Sequence, residues 1–458
     1  MINHILAASC AVPVSIIMGT ILGQSSALLP YLMDPTTPIN ITRDEGSWIA
    51  SMTILGQVTV TLLFGYLADV FGRIRMFQFS LFFSMLGFAI VASATDVAML
   101  IISRFLMGIA IGSFLPGIII VSEIATPKYR GLFLSIVPLG AGVGSCLMYV
   151  IMGWQSLIVA SWIMCFVSFF SFLLTFLYYD SPQSLVQRGR IEDARKSLKR
   201  FEVLENVDAR LKELEMKVEE SWRNDRSLFD EGCGVFLEPG VWKPLLMMTT
   251  LSFLLSGSGF YLISVFYFVH FLNEFQVPFD PQPILITLSS VKVLSAMLSS
   301  FLLCRTKRRT LGAVSGFSSA FLLSVTFVFL VLRPEYPTLA EKLSWVPIVC
   351  LILFSTFSAG IGLMPLPWLM PNELFPLKVR GVMCGLSLTF TNTSLFIVTK
   401  MYHVMMDGLG LQGTILLFIV CSILFGIVSL VFLVETHEKT LDEIEQEFSR
   451  GIANHEEK

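Results

Sequence analysis

Twelve apolar stretches leave this chain of 458 residues few ways to fold. A helix needs about 20 mostly apolar residues to cross the hydrocarbon layer of a bilayer. The stretches at roughly 5–29, 47–68, 76–94, 97–122, 133–153, 156–178, 244–270, 283–303, 310–332, 344–370, 381–406 and 411–434 meet that requirement. Six of them, then a polar segment of roughly sixty residues, then six more divide the chain into two halves. The expected architecture is an all-α membrane protein with twelve transmembrane helices in two six-helix halves. Residues 1–179 form the first half, 180–243 a cytoplasmic helical linker, 244–435 the second half and 436–458 a cytoplasmic tail.

Composition agrees with this reading. Hydrophobic residues make up 54% of the chain and charged residues 14%, against about 25% charged in a soluble domain. A net charge of −3 and the lack of a long basic run argue against a nucleic-acid partner. The eight cysteines are scattered and form no CxxC, so packing is expected of them rather than disulfides or zinc ligation. There is no GxxxxGK[ST], HExxH or Gly-x-Ser-x-Gly, and so no sign of an enzyme, a bound cofactor or a metal. The first apolar stretch has no basic n-region and outruns a signal-peptide core, which reads as a retained span.

Loop charges orient the chain. Arg73, Arg75, Lys128, Arg130, the basic residues of the linker, the cluster Arg305, Lys307, Arg308, Arg309, and Lys378 and Arg380 all fall on one side. The other side has only Arg43, Arg333 and Lys342 in its loops. Positive charge stays in the cytoplasm, so both termini and the linker are expected there. The sequon Asn40-Ile41-Thr42 would then lie outside as a glycosylation site. In the linker, charges of both signs at i,i+4, such as Glu213 and Lys217, suggest exposed, surface-lying helices.

One device occurs twice. "EIATPKYRG" holds Glu123, Arg130 and Gly131, and "ELFPLKVRG" holds Glu373, Arg380 and Gly381, an offset of 250 from 123 to 373 and from 130 to 380. Each copy links the fourth and fifth spans of its half at the cytoplasmic face. Two six-helix repeats are the layout of a secondary transporter, with its substrate site between the halves near mid-membrane. Charges at the mouth could pair across the halves and close an inner gate, each pair contributing about 1–3 kcal/mol where water is partly excluded. The bland alternative is that Glu and Arg snorkel at helix ends. "GYLADVFGRIR" adds Asp69 and Arg73 between spans two and three, and Arg104 lies near the outer start of span four, a rare place for a charge.

With these motifs in hand, the chain resembles the sugar-porter branch of the major facilitator superfamily along nearly its whole length. The residues that carry the resemblance are GYLADVFGRIR at 65–75, SRFLMGIAIG at 103–112, SEIATPKYRG at 122–131, DSPQSLVQRGRIEDA at 180–194, PLPWLMPNELFPLKVRG at 365–381 and VETHEKTLDEI at 434–444. "SWIASM" at 47–52 and "FIVTK" at 396–400 are most similar to insect facilitated trehalose transporters. The resemblance implies a rocker-switch carrier of the plasma membrane, with a small solute and the bilayer as its partners and nothing that requires more than a monomer. It implies a cytoplasmic gate of Asp69, Arg73, Glu123, Arg130, Asp180, Glu373, Arg380 and Glu435. It also implies a substrate site of Trp368, Lys292, Tyr149, Ser256, Tyr261, Thr391 and Asn392, with Trp368 stacking on the sugar beside Pro365 and Pro367.

The presumed binding wall departs from the family pattern. Sugar porters carry QQxxGxN in span seven, because hydroxyl groups need directional amide partners. Here Phe253, Leu254 and Gly259 stand at those positions, and Lys292 in span eight replaces an amide. That lysine could attract an anionic solute, sit neutral, or snorkel. The second-half counterpart of GRIR reads "CRTKRR", with Lys307 in place of the glycine, which predicts a looser gate on that side. Three readings follow. The first is a facilitative hexose or trehalose carrier, favoured over a symporter because span one lacks the acid of proton-coupled members. The second is a carrier of a less hydroxylated or anionic solute, lined by Phe253, Phe260, Tyr261 and Tyr267. The third is a non-transporting sensor, for which a tail of about twenty residues is short.

Overall fold

The computed structural model describes residues 2–33, 37, 39, 41–124, 130–178, 180–201, 207–216, 218–219, 236, 238–276, 279–376 and 379–436. Asn40, Lys217 and the tail beyond 436 lie outside the described residues, as do the side chains of Asp69, Glu123, Arg130 and Arg380.

The first six expected spans appear as helices Ile2–Met33, Arg43–Phe71, Arg73–Ser93, Val97–Ile124, Arg130–Trp154 and Leu157–Thr175. In the second half, span eight is Pro281–Arg305 and span nine is Arg308–Leu332. Spans eleven and twelve run as one helical stretch, Arg380–Val431, interrupted at Gly410, where φ is 68°. A straight helix of 52 residues would be about 78 Å long, more than twice the hydrocarbon thickness of about 30 Å, so it has to break. Eight described helices are long and apolar enough to cross a membrane, with Gly381–Val431 holding two spans.

Two spans are discontinuous. Span seven is a helix Pro239–Gly257, a π-helical turn Leu262–Phe266 and a short helix Phe268–Glu274. Span ten is Trp345–Gly360 followed by the short pieces Pro365–Leu369 and Pro371–Leu374. Prolines 365, 367 and 371 each lack the N–H that would continue the helix. In span seven the break lies at Gly259, with φ 77° and the Phe418 ring where a Cβ would project. A side chain there would meet both backbone strain and a clash. The residue that looks like a lost asparagine is therefore a conformational requirement of the break.

Within the first half, span one packs on five, two on four, and three on four and six. In the second, seven and nine pack on the eleven–twelve stretch, and eight and nine on ten. Spans two and eleven, five and eight, and one and seven join the halves. Large apolar side chains such as Trp154, Phe170, Phe321 and Val382 remain exposed on the outside, the surface a lipid-embedded bundle presents. The linker is more than a solvated connector. Pro182–Gln187, Ile191–Phe201 and the helical turns from 207 enclose a small core of their own, built on Leu185, Ala194, Leu198, Leu211 and Leu214.

Candidate functional site: a mid-membrane wall and the charged helix ends

The charged residues expected at the cytoplasmic mouth form two matching helix caps at the end called inner below. The Asp180 carboxylate, after span six, accepts from the backbone N–H groups of Arg73 at 3.1 Å and Ile74 at 3.3 Å. It also pairs with Arg188. The Glu435 carboxylate, after span twelve, accepts from the backbone N–H groups of Arg308 at 2.9 Å and Arg309 at 3.3 Å. Each acid thus satisfies free N–H groups and faces the positive end of the third helix of its half. Arg308 in turn holds Glu373, with Nη2 to Oε1 at 3.0 Å, and Arg73 Nη2 reaches Gln187 at 3.4 Å.

All of these contacts stay within one half or between a half and the linker. The expected pairing across the halves involves Asp69, Glu123, Arg130 and Arg380, whose side chains lie outside the described residues. Among the described residues, polar contacts join the halves near mid-membrane and at the opposite, outer end. Ser26 donates to the Val265 carbonyl, Gln282 Nε2 donates to the Tyr149 carbonyl at 2.6 Å, and Asn392 Nδ2 lies 3.5 Å from Thr61 Oγ1. Lys400 Nζ contacts Asp44 Oδ1 at 2.8 Å and Ser47 Oγ at 2.7 Å. These contacts bridge the two halves at the outer end.

The seven expected substrate residues are linked in small groups rather than in one network. Trp368 Nε1 donates to the Tyr261 hydroxyl at 3.1 Å, which ties broken span ten to broken span seven. Ser264 and Ser355 make a second bridge between the same spans at 2.6 Å. Lys292 Nζ donates to the Ser264 carbonyl at 2.6 Å. Among the described residues this carbonyl, and no carboxylate, is the partner of the ammonium group. Ser252 and Thr391 share a hydrogen bond of 2.7 Å, and Ser256 donates to the Ser252 carbonyl at 3.0 Å. Asn392 Oδ1 is buried without a partner. The Tyr149 hydroxyl donates to Ser26 at 3.2 Å. Phe260, Tyr261 and Tyr267 face the protein interior, whereas Phe253 is 56% exposed and stands apart from them.

The structure gives partners to groups that the sequence only places. Arg104 is fully buried and donates to Gln24 and Ser25 of span one. Tyr267 stacks on Tyr402 at 4.0 Å, with His270 and His403 at their edges. A cavity of about 230 Å³ beside them, between the outer ends of spans one and seven, is lined by Ser26, Tyr267, His270 and Asn273 among others. None of the seven expected substrate residues lines it.

The discontinuous spans, the mirrored caps and the two packed halves form a carrier's scaffold, and the family model described as "Sugar (and other) transporter" matches residues 18–448. The chain belongs to this family. It is 27% identical over 437 residues to "Facilitated trehalose transporter Tret1" of Bombyx mori, covering 92% of this chain and 83% of that one. It is also 27% identical over 439 residues to the Drosophila yakuba protein of the same name, covering 94% of this chain. The match spans half the length of that relative. Among solved structures, the "inward open conformation of the xylose transporter XylE from E. coli" superposes with a TM-score of 0.77 at 15% identity, covering 97% of this chain and 99% of that one. The "proton:xylose symporter XylE bound to 6-bromo-6-deoxy-D-glucose" gives 0.74 at 16% identity, with the same coverage. Both likenesses show the fold, a major facilitator bundle.

Proposed function

We propose that this protein is a facilitative uniporter that moves a hexose or trehalose across the plasma membrane by rocker-switch alternating access. Residues 1–179 and 244–435 are its two moving bodies, with the linker and both termini in the cytoplasm. The observation that carries this reading is the bond between Trp368 and Tyr261, which joins the two broken spans. A ring with a polar edge offers a sugar one apolar face and one hydrogen-bonding group. Discontinuous helices near mid-membrane are where carriers of this architecture bind their solutes.

Trp368, Tyr261, Tyr149, Ser256, Thr391, Asn392 and Lys292 form the proposed wall, and the unpartnered Asn392 Oδ1 leaves it one free acceptor. Asp69, Arg73, Glu123, Arg130, Asp180, Glu373, Arg380 and Glu435 form the proposed inner gate. Among its described members, Asp180 and Glu435 cap the third helix of each half, and Glu373 pairs with Arg308.

A second reading keeps the carrier and changes the cargo to a less hydroxylated solute. Favouring it, the span-seven positions that carry amides in sugar porters hold Phe253, Leu254 and Gly259. Uptake of labelled glucose and trehalose into proteoliposomes, with Lys292→Gln measured beside the wild type, separates the two. Saturable sugar uptake by the wild type supports the first reading. No uptake by either protein refutes it, and binding without flux marks a non-transporting sensor.

A further inference from the structure

At the outer end, one ammonium group gathers three different ligands from the other half of the molecule. Lys400, in span eleven, places Nζ 2.8 Å from Asp44 Oδ1, 2.7 Å from Ser47 Oγ and 4.1 Å above the centroid of the Trp48 ring. All three ligands come from the first two turns of span two, helix Arg43–Phe71. The segments 47–52 and 396–400, distinctive in sequence but far apart in it, therefore meet across the interface between the halves. The Lys400 side chain is only 22% exposed although Asp44 is 80% exposed, so the charge is drawn in under the Trp48 ring rather than left in solvent. A lysine suits this position. Its compact charge on a flexible stem can serve a carboxylate, a hydroxyl and a ring face together.

From this geometry we infer that Lys400, Asp44 and Trp48 are an outer latch, residues that hold the carrier outer-closed and must part each time it opens outward. The inference rests on the alternating-access reading, because only a motion that separates spans two and eleven at their outer ends would break the contact. Of the described charge pairs that cross the halves, the one with a partly buried member is Lys400 with Asp44. Arg43 and Asp407 add a second crossing pair at 3.6 Å, but both are highly exposed, and such pairs contribute little.

The test reads global opening away from the latch. Spin labels carried on non-canonical residues replace Trp154 and Phe279, exposed side chains at the outer ends of spans five and eight. This leaves the eight native cysteines untouched. Distances are then measured in the full chain in nanodiscs. The wild type is expected to show a major short and a minor long distance. Lys400→Met should raise the long-to-short ratio about three- to tenfold, Asp44→Asn should shift it less in the same direction, and Lys400→Arg should restore most of the wild-type ratio. If Lys400→Met leaves two populations in the wild-type ratio, the latch is wrong while alternating access stands. If every variant shows one unchanging distance, the latch falls together with alternating access.

Discussion

The start of span three and the start of span nine are the same device built from different residues. In both, a carboxylate from the segment after the half's last span caps the helix, Asp180 on Arg73 and Ile74, Glu435 on Arg308 and Arg309. The residue just before the helix differs. Gly72 has φ 95° and ψ 160°, with the Asp180 carboxylate and the Arg188 guanidinium where a Cβ would stand. Its counterpart Lys307 has φ −62° and ψ 138°, a backbone that any residue adopts. The first copy brings its acid close against the chain and needs glycine to admit it. The second uses a longer acid, reaches the same N–H groups with ordinary backbone, and has no need of glycine. What read in sequence as a degraded motif is thus a different solution to one electrostatic requirement, the capping of a helix N-terminus.

The comparison makes its strongest prediction at Gly72. Gly72→Ala combines a backbone region almost confined to glycine with a clash against Asp180 and Arg188, for an expected loss of about 2–4 kcal/mol. Thermal unfolding of the detergent-purified protein should show a clearly lowered Tm. A wild-type Tm would mean that the turn relaxes freely and that the two copies do not differ as described.

Arg308 supplies the next largest effect. It holds Glu373 with both partners mostly shielded, at 14% and 32% exposure, so Arg308→Ala should cost about 1–3 kcal/mol. Because the pair lies within one half, the loss should appear in Tm, while the outer distance between labels at positions 154 and 279 keeps its wild-type populations. A shift in those populations would show instead that Arg308 takes part in opening and closing.

The two caps can then be weighed against each other. Asp180→Asn and Glu435→Gln each keep the shape and remove the charge at a helix N-terminus, and each should cost about 1–2 kcal/mol. Equal losses would confirm that the caps are equivalent. A loss confined to Asp180→Asn would locate the difference in Arg188, which pairs with Asp180.

How much of this the sequence disclosed depends on where the deciding partner lies. The spans were legible because crossing a bilayer fixes a length of apolar chain, and their bounds differ from the helices by a few residues. The repeated Glu and Arg were legible because the motif recurs at one offset. The capping role of Asp180 was not, because its partners are backbone groups 107 and 106 residues away. Lys292 stayed open between three readings for the same reason, since its partner is a backbone carbonyl within the π-turn of span seven and no residue type announces such a turn. Gly259 looked like a missing amide because sequence shows a side chain's absence but not the positive φ that demands it. Lys400 and Trp48 were noticed separately. Their meeting depends on the axial alignment of spans two and eleven, which appears only when the halves are packed.

Lys307 provides the smallest effect and the cleanest check on the comparison. If its backbone is ordinary, restoring the glycine found in the first copy should bring no benefit. Lys307→Gly removes an exposed side chain that makes no cap hydrogen bond, and it places a better N-cap residue before the helix. The same change frees more conformations in the unfolded chain, which opposes the gain. These contributions are similar in size, so stability should move by no more than about 0.5 kcal/mol in either direction, with solute flux unchanged. A large stabilisation would mean that the second copy is strained at Lys307 and that glycine had been lost at a cost. A large loss would mean that the lysine holds something through its side chain. Either result would break the argument that two ordinary helix starts can be capped by the same charge with different neighbours.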